Sequence, residues 1–348
     1  MLKFKHLCQV LKWKQFHHNY RTYTYEPYNV LFFGTDDYAL HCLKRLKSDF
    51  EKVPGTHKAV KKLEVVCLPQ ANVPVKKFAL SNNLPLHTWP YMPKNHTFDV
   101  AVVVSFGKLI PERIIKTFPL GMINIHASFL PALRGAAPIA RAVEKGLKET
   151  GVTIMQIKPN NYDHGLILDQ SETVKIKDST TSADLRNDLG SIGSKLCLEV
   201  LRELPLKLKL AKQQNESCAT AAPKLTLHDT YVNWYSMDSD HIWKKYRAYG
   251  FDKTFHLRCL YNGTLVRLVH LSLCTEDQQK HAAKVLSPGC VMYHKKSKRL
   301  LIACKTGHIA CEKLIVDKHK SMSAESFNNG YLQKQTKLNK KIVFLSIL

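Results

Sequence analysis

The amino-acid sequence predicts an α/β fold with a mostly parallel sheet, followed by a second, smaller β-barrel domain. The first half alternates apolar strand-like runs with amphipathic helices, which is the pattern that a parallel sheet covered by helices produces. The second half replaces this alternation with short strands separated by polar turns, as in small barrels. The chain has 348 residues, 45% of them hydrophobic, which is enough for two domains with their own cores.

The predicted strands of the first half are apolar runs, at residues 28–33, 63–68, 98–104, 121–126 and 151–157. The first strand leads through Gly34 into a helix with Leu40, Leu43 and Leu46 on one face. A single glycine is not a dinucleotide-binding fingerprint, because G-x-G-x-x-G is missing. Further helices are predicted at 75–80, 136–147 and 182–204, the last with Thr181 or Ser182 as candidate cap.

The second half divides by composition. Residues 205–226 have linker composition. A helix at 240–249 then precedes predicted strands at 264–274, 289–294, 300–304 and 308–316. We therefore expect a first domain over 27–204, a linker over 205–226, a second domain over 227–332, and a tail over 333–348 in which no pattern is evident.

The most informative polar residues lie at the end of one predicted strand. Asn124 and His126 are two residues apart, so their side chains share one face of that strand. Asp163 follows the next strand in a polar loop. An amide, an imidazole and a carboxylate can together steady an oxyanion, move a proton and orient the imidazole. Sites in open α/β sheets gather beyond the carboxyl ends of strands, where this pair is expected.

Each of the three residues also has a structural interpretation. Taken alone, His126 fits a hydrogen-bonded core histidine, Asn124 a turn cap and Asp163 an ordinary loop carboxylate. The surrounding motifs favour the functional interpretation. They are Asn-x-His-x-Ser-x-Leu-Pro at 124–131, Arg-Gly-Ala-Ala-Pro at 134–138 and the strand 151–156 that leads into Asp163.

These motifs resemble the 10-formyltetrahydrofolate-dependent formyltransferase family, and within it the members that act on initiator tRNA. The likeness is strong over residues 28–204 and weaker to residue 332. It implies a Rossmann-like catalytic domain followed by an OB-like barrel. It also implies transfer of the formyl group of 10-formyltetrahydrofolate to the α-amino group of methionine esterified to initiator tRNA.

The resemblance assigns catalytic roles to the three polar residues. Asn124 matches the amide that donates to the oxyanion, a contact that can be worth about 3 to 4 kcal/mol of barrier. His126 matches the imidazole that stabilises this oxyanion and handles protons. Asp163 matches the carboxylate that keeps the imidazole charged or organises a proton-carrying water.

Two loops are assigned to substrates by the same resemblance. The folate pocket is expected to use Phe106, Gly107, Leu109 and Ile110. The acceptor side is expected to use Gly34, Thr35, Tyr38, Ser128 and Arg134. Ordinary packing is an equal alternative for Tyr38, and it also remains open for Phe106.

Charge distribution favours the second half as the partner of a polyanion. The formal net charge is +24; residues 205–348 hold 24 Lys and Arg against 10 Asp and Glu, whereas residues 27–204 hold 23 against 17. The expected phosphate contacts are Lys295, Lys296, Lys298 and Arg299, on one predicted hairpin.

The family's bacterial members carry a longer basic loop where this chain has residues 69–74. We therefore expect this protein to recognise the acceptor stem of the tRNA in a different way.

Residues 1–26 predict a cationic amphipathic transit segment, because they carry five basic residues among apolar ones. A basic arm that touches RNA is the alternative. Since the family implies organellar initiation with formylmethionine, we expect a mitochondrial matrix protein. No apolar run is long enough to span a bilayer, so membrane insertion is not expected. We expect the protein to be a monomer.

The ten cysteines form no Cys-x-x-Cys pair and no Cys/His set with zinc spacing. We therefore expect a reduced compartment and no metal.

Three rival functions remain: a glycinamide ribonucleotide formyltransferase, a sugar-nucleotide formyltransferase, and a non-catalytic RNA-binding relative. A glycinamide ribonucleotide formyltransferase typically lacks a basic barrel, and a sugar-nucleotide formyltransferase needs neither the positive net charge nor a leader. The presence of Asn124, His126 and Asp163 argues against a non-catalytic relative.

Overall fold

The computed structural model describes residues 26–53, 57–70, 73–159, 161–283, 287–336 and 342–347. The predicted leader lies outside these residues apart from Glu26. Nine strands precede the connection between the two halves: β1 (Tyr28–Gly34), β2 (Val60–Cys67), β3 (Leu86–Thr88), β4 (Val100–Val104), β5 (Met122–His126), β6 (Glu149–Thr150), β7 (Thr153–Gln156), β8 (Ile167–Gln170) and β9 (Val174–Lys175).

Six helices accompany these strands: α1 (Asp37–Phe50), α2 (Pro74–Ser81), α3 (Glu112–Ile115), α4 (Pro138–Glu144), α5 (Ser182–Arg202) and α6 (Leu204–Lys209). The side chain of Asp36 caps α1 by accepting from the Ala39 amide at 3.0 Å. Thr181 caps α5 in a capping box with Asp184, as its position before the helix predicts.

The main sheet has seven strands in the order β3-β2-β1-β4-β5-β7-β8. The first five are parallel, and β7 and β8 run antiparallel to their neighbours. This confirms the prediction of an α/β fold with a mostly parallel sheet. The strand order reverses between β1 and β4, and in such sheets a crevice opens beyond the carboxyl ends of the strands at that point.

Burial on both faces explains the continuous apolar sequence of β1. Val30 and Phe32 pack into the larger core, whereas Leu31 and Phe33 pack into a second core on the other side. A strand covered on both faces needs apolar residues at every position, because successive side chains point to opposite faces.

In the described residues of the second half there are six strands and four α-helices. The strands are β10 (Leu257–Tyr261), β11 (Thr264–Leu273), β12 (Val291–His294), β13 (Arg299–Ala303), β14 (His308–Val316) and β15 (Met322–Ser323), and the α-helices are α7 (Ser239–Lys245), α8 (Glu276–Ala282), α9 (Ala324–Phe327) and α10 (Gln333–Thr336). Five strands pair antiparallel in the order β10-β11-β14-β13-β12, and β15 joins β14. The short alternating segments predict β11, β12, β13 and β14, and they miss β10 and the two-residue β15.

The tail closes this sheet into a barrel. Leu345 exchanges backbone hydrogen bonds with Leu260 of β10, and Phe344 donates its amide to Gly289 just before β12. Phe344 is 1% exposed, so it fills the interior. The segment 342–347 therefore bridges the two edge strands, which removes the exposed strand edges. This role is not apparent in the sequence.

The connection over residues 205–226 is more ordered than its composition predicts. It contains most of α6 and a short 3-10 helix at Glu216–Cys218. The backbone of Ala222 donates to Arg134 at 2.6 Å, and the amide of Arg134 donates to Thr220 at 2.8 Å. Residues of this segment therefore pack along the first half as an added strand-like edge.

Within the described ranges, no helix combines the length and apolar character needed to cross a membrane. No group of three or more potential metal-ligating side chains occurs in the same ranges. The nine cysteines that fall inside them are free thiols, and all but Cys218 are buried.

Candidate functional site

The side chains of Asn124 and His126 project from the same face of β5, as their spacing predicts. The intervening residue Ile125 points to the opposite face, where it contacts α5 near Gly193. His126 is the last residue of β5 and is 5% exposed. The pair therefore lies at the carboxyl end of a central strand, one strand away from the reversal of strand order.

The loop between β7 and β8 folds back and brings Asp163 to this pair. Asp163 has a φ of +58°, a left-handed conformation that costs a residue with a side chain about 1 kcal/mol. Its Oδ2 accepts from the backbone amide of Gly135 at 2.9 Å. Gly135 has a φ of +125°, and a Cβ there would lie 2.5 Å from the carbonyl oxygen of Ala222, so glycine is required.

The hydrogen bonds of His126 distinguish its two ring nitrogens. Nε2 lies 2.9 Å from the carbonyl oxygen of Leu133, and a carbonyl can only accept, so Nε2 carries a proton and donates. Nδ1 lies 3.4 Å from Oδ1 of Asp163. The nitrogen that can gain or lose a proton is therefore the one that faces the carboxylate.

Asn124 and His126 converge on one oxygen atom. Nδ2 of Asn124 donates to Oδ1 of Asp163 at 3.4 Å, the same atom that faces Nδ1 of His126. Both distances exceed the usual 2.7 to 3.2 Å of an N–H···O bond, so neither donor is tightly committed. Such contacts commonly tighten when substrate binds. The arrangement can stabilise an oxyanion and move a proton.

The loop predicted to bind folate begins where β4 ends. Gly107 has a φ of +71° and open space around its α-carbon, and Leu109 is 43% exposed. Phe106 and Ile110 are buried, and Phe106 packs edge-to-face with Phe33 and Trp89. Of the four predicted residues, Gly107 and Leu109 are accessible to a ligand, and Phe106 and Ile110 are buried in the second core.

The turn that the resemblance assigned to the acceptor side lies beside this loop. The hydroxyl of Thr35 donates to the carbonyl of Ser105, which joins the turns after β1 and β4 at the reversal of strand order. Gly34 is the buried last residue of β1. Tyr38 is 4% exposed, burial raises the pKa of its hydroxyl, and that hydroxyl has no hydrogen-bond partner among the described residues. Its position favours the packing interpretation over direct substrate contact.

Ser128 and Arg134, both predicted on the acceptor side, are engaged inside the protein. The hydroxyl of Ser128 donates to the carbonyl of Ala132 at 2.6 Å, and Ser128 is 1% exposed. The Arg134 guanidinium donates to both carboxylate oxygens of Glu216, at 2.7 and 2.8 Å. The guanidinium also donates to the side chain of Gln214.

The predicted basic hairpin joins β12 to β13. Lys295, Lys296 and Lys298 are exposed on its turn. Lys296 faces Asp277 and Lys298 faces Glu325, each at 3.3 Å, whereas Lys295 makes no ion pair with any residue that the structure describes. Arg299 is half-buried and pairs with Glu312 at 3.1 Å. The three lysines are therefore accessible to phosphate, and Arg299 serves mainly to connect strands.

The sequence did not predict three residues that hold the site in place. These are Leu133, which acts through its backbone carbonyl, Gly135, which acts through its backbone amide, and Gln214, which acts through its side chain. A hydrogen bond made by a backbone group cannot be predicted from the residue type. Gly135 belongs to the Arg-Gly-Ala-Ala-Pro motif, which was the available signal for it. Gln214 stands in a polar stretch that resembles a linker, and nothing in its neighbours distinguishes it.

Two family models match the chain. The formyl transferase model matches residues 76–201, and the model of the formyl transferase C-terminal domain matches residues 224–332.

Relatives match over most of the chain. It is 38% identical over 312 residues to the mitochondrial methionyl-tRNA formyltransferase of Homo sapiens, covering 88% of this chain and 78% of that protein. The corresponding protein of Bos taurus is 36% identical over 314 residues, with the same two coverages. An N-formyltransferase of Helicobacter canadensis, solved with folinic acid and dTDP-3-aminofucose, has a TM-score of 0.58 at 16% identity, covering 81% of this chain and 98% of that one. At this identity the structural likeness shows the fold alone.

Proposed function

The chain belongs to the methionyl-tRNA formyltransferase family, and from this premise we propose that it transfers the formyl group of 10-formyltetrahydrofolate to the α-amino group of methionyl-tRNA. The product is N-formylmethionyl-tRNA for organellar translation initiation. The formyl donor is a substrate that is consumed in the reaction.

One observation carries the proposal. The amide of Asn124 and Nδ1 of His126 lie at the same distance, 3.4 Å, from one carboxylate oxygen of Asp163. This geometry supports a site in which two N–H donors face a developing negative charge while a carboxylate balances the imidazole. A pair of preorganised donors is what stabilises the oxyanion in acyl transfer.

The chemistry follows from these positions. The neutral amine attacks the formyl carbon, the new C–N bond forms, and the formyl oxygen becomes negatively charged. Asn124 Nδ2 and a protonated His126 donate to that oxygen. The C–N bond to the folate then breaks; the amine gives up one proton and the folate nitrogen gains one, with His126 and Asp163 carrying protons between them.

The open residues of the folate loop support a site for the donor beside this centre. Gly107 lets the backbone approach a ligand closely because no side chain intervenes, and Leu109 offers an exposed apolar surface. Phe106 and Ile110 are proposed to support the loop from below. Thr35, which is bonded to Ser105, is proposed to join the donor and acceptor sides of the crevice.

The basic charge of the second half supports the tRNA partner that the family implies. We propose that the tRNA lies against the basic hairpin of the barrel, with Lys295, Lys296 and Lys298 contacting phosphates.

We also propose that residues 1–26 direct the protein to the mitochondrial matrix and that it acts as a monomer. The division into domains at 27–204 and 227–332 is retained as a proposal.

A competition among acceptors tests the function. The purified protein is given labelled 10-formyltetrahydrofolate with methionyl-tRNA, glycinamide ribonucleotide or an amino-sugar nucleotide. We expect label to be transferred to methionyl-tRNA, and uncharged initiator tRNA serves as the control because it lacks the nucleophilic amine. Transfer to either small molecule in preference to methionyl-tRNA would contradict the proposal, and so would the lack of any transfer.

A further inference from the structure

The segment that joins the two halves contacts the Asp163 loop through one buried side chain, Gln214. This residue is 4% exposed, whereas Gln213 and Asn215 on either side are exposed. Its Nε2 donates to the backbone carbonyls of Asp163 and Gly165, each at 2.8 Å. One amide nitrogen therefore holds the backbone at two points of the loop that carries the carboxylate.

The other end of the amide is held as well. Its Oε1 accepts from Nε and Nη2 of Arg134, at 3.0 and 2.6 Å. An amide side chain has two N–H donors and two oxygen lone pairs, and all four are used here. The carbonyls can only accept and the guanidinium can only donate, so the reversed orientation of Gln214 is excluded by its partners.

Arg134 is itself fixed to the same segment. Its guanidinium is bidentate to Glu216, and its backbone pairs with Thr220 and Ala222. The following residue, Gly135, donates its amide to Oδ2 of Asp163. The backbone of the Asp163 loop and the carboxylate itself are thus both held by groups that residues 214–222 bring together.

We propose that Gln214 is a positioning residue for formyl transfer: it holds the Asp163 loop so that the carboxylate faces His126, and Arg134 orients its amide. Asp163 keeps a left-handed backbone, which a non-glycine residue retains only where its surroundings determine it. The two bonds from Gln214 supply that determination. The inference rests on the proposed function, because it concerns the same reaction.

Three variants test the role through kinetics. Gln214→Ala removes both donors. Gln214→Glu keeps the size and the oxygens for Arg134, but places an acceptor against two carbonyls. Gln213→Ala is the matched control, being the exposed neighbour of the same type. We expect kcat to fall by about 10- to 100-fold in both Gln214 variants and to stay unchanged in the control, because small displacements of catalytic groups have effects of this size. The KM values for both substrates should change little.

A double-mutant cycle separates positioning from a general structural role. Because Gln214 acts through Asp163, Gln214→Ala should lower kcat by no more than about twofold in an Asp163→Asn background. Fully additive losses would overturn the inference. A folded Gln214→Glu protein that retains the wild-type kcat would also overturn the inference. This variant keeps the test decisive if Gln214→Ala does not fold.

Hydrogen exchange provides a readout that does not depend on activity. We expect faster amide exchange over residues 161–166 in Gln214→Ala and Gln214→Glu than in Gln213→Ala. Equal exchange in all three would count against the inference. If the wild-type protein formylates none of the three acceptors, the proposed function fails, whereas wild-type formylation together with unaffected Gln214 variants overturns the positioning role alone.

Discussion

The Nδ1 atom of His126 lies 3.4 Å from Oδ1 of Asp163, and the two side chains are only 6% and 11% exposed. Charges that are this little exposed are screened weakly by solvent and salt. Because Nε2 already donates to Leu133, any change in protonation occurs at Nδ1, beside the carboxylate. The proposed catalytic role of this pair therefore predicts that its disruption lowers turnover.

Replacing Asp163 with asparagine should affect turnover far more than binding. The substitution keeps the size of the side chain but removes the negative charge that faces Nδ1. We expect kcat to fall by about 100-fold or more, with KM for methionyl-tRNA nearly unchanged. Asp178→Asn is the control, since the Asp178 side chain is 88% exposed and pairs with Lys148 rather than with a residue of the site. Near-normal turnover in Asp163→Asn would refute the role.

The basic hairpin should determine the salt dependence of tRNA binding. Replacing Lys295, Lys296 and Lys298 together with alanine should weaken binding and lower the log–log salt slope by about one for each phosphate that is no longer neutralised. Binding titrations at several salt concentrations measure the slope. The control replaces three exposed lysines of the first half, Lys175, Lys177 and Lys195. An unchanged slope in the hairpin variant would place the tRNA elsewhere.

The ion pair between Arg141 and Asp229 should make stability depend on pH. Burial alone would raise the pKa of the Asp229 carboxyl, but hydrogen bonds from Arg141 and Thr226 outweigh it and hold that pKa below its usual range. The unfolded chain therefore binds more protons as pH falls through the acid range. The stabilisation is complete above the unfolded pKa, about 4, and is lost as pH falls through the folded value.

We therefore expect Asp229→Asn to lower the free energy of unfolding at pH 7 by about 1.5 to 3 kcal/mol. The difference from the wild type should narrow below about pH 4. Urea denaturation at a series of pH values measures it. Asp240→Asn, at a carboxylate that is 63% exposed and pairs with Lys244, should change stability little at any pH. A difference that persists unchanged in acid would contradict the electrostatic explanation.

Closure of the barrel by the tail predicts unequal effects at two adjacent residues. Phe344 is 1% exposed and Leu345 is 47% exposed. Phe344→Ala should cost about 3 to 5 kcal/mol because it leaves a cavity in the barrel. Leu345→Ala should have a much smaller effect, since its pairing with Leu260 uses backbone atoms. Equal effects of the two substitutions would mean that the tail is not part of the barrel core.

Much of the fold was predictable because it depends on local sequence. The apolar run of β1 and the β14 bounds at His308–Val316 follow from residue type and periodicity. The shared face of Asn124 and His126 follows from strand geometry. The tail and the connection were not predictable, because their order comes from partners such as Gly289 and Arg134, which lie far away along the chain.

The sequence by itself determined the fold class, because periodicity lies within short stretches of chain, and the resemblance of its motifs to a known family proposed Asn124, His126 and Asp163 as the catalytic set. The tertiary structure alone decided which of the other polar residues are free to meet a substrate. Arg134 and Gln214 are 80 residues apart, and their pairing makes the Arg134 side chain part of the framework that surrounds Asp163. Contacts at such separation leave no periodic signal in the chain, since they arise only when packing brings two segments together.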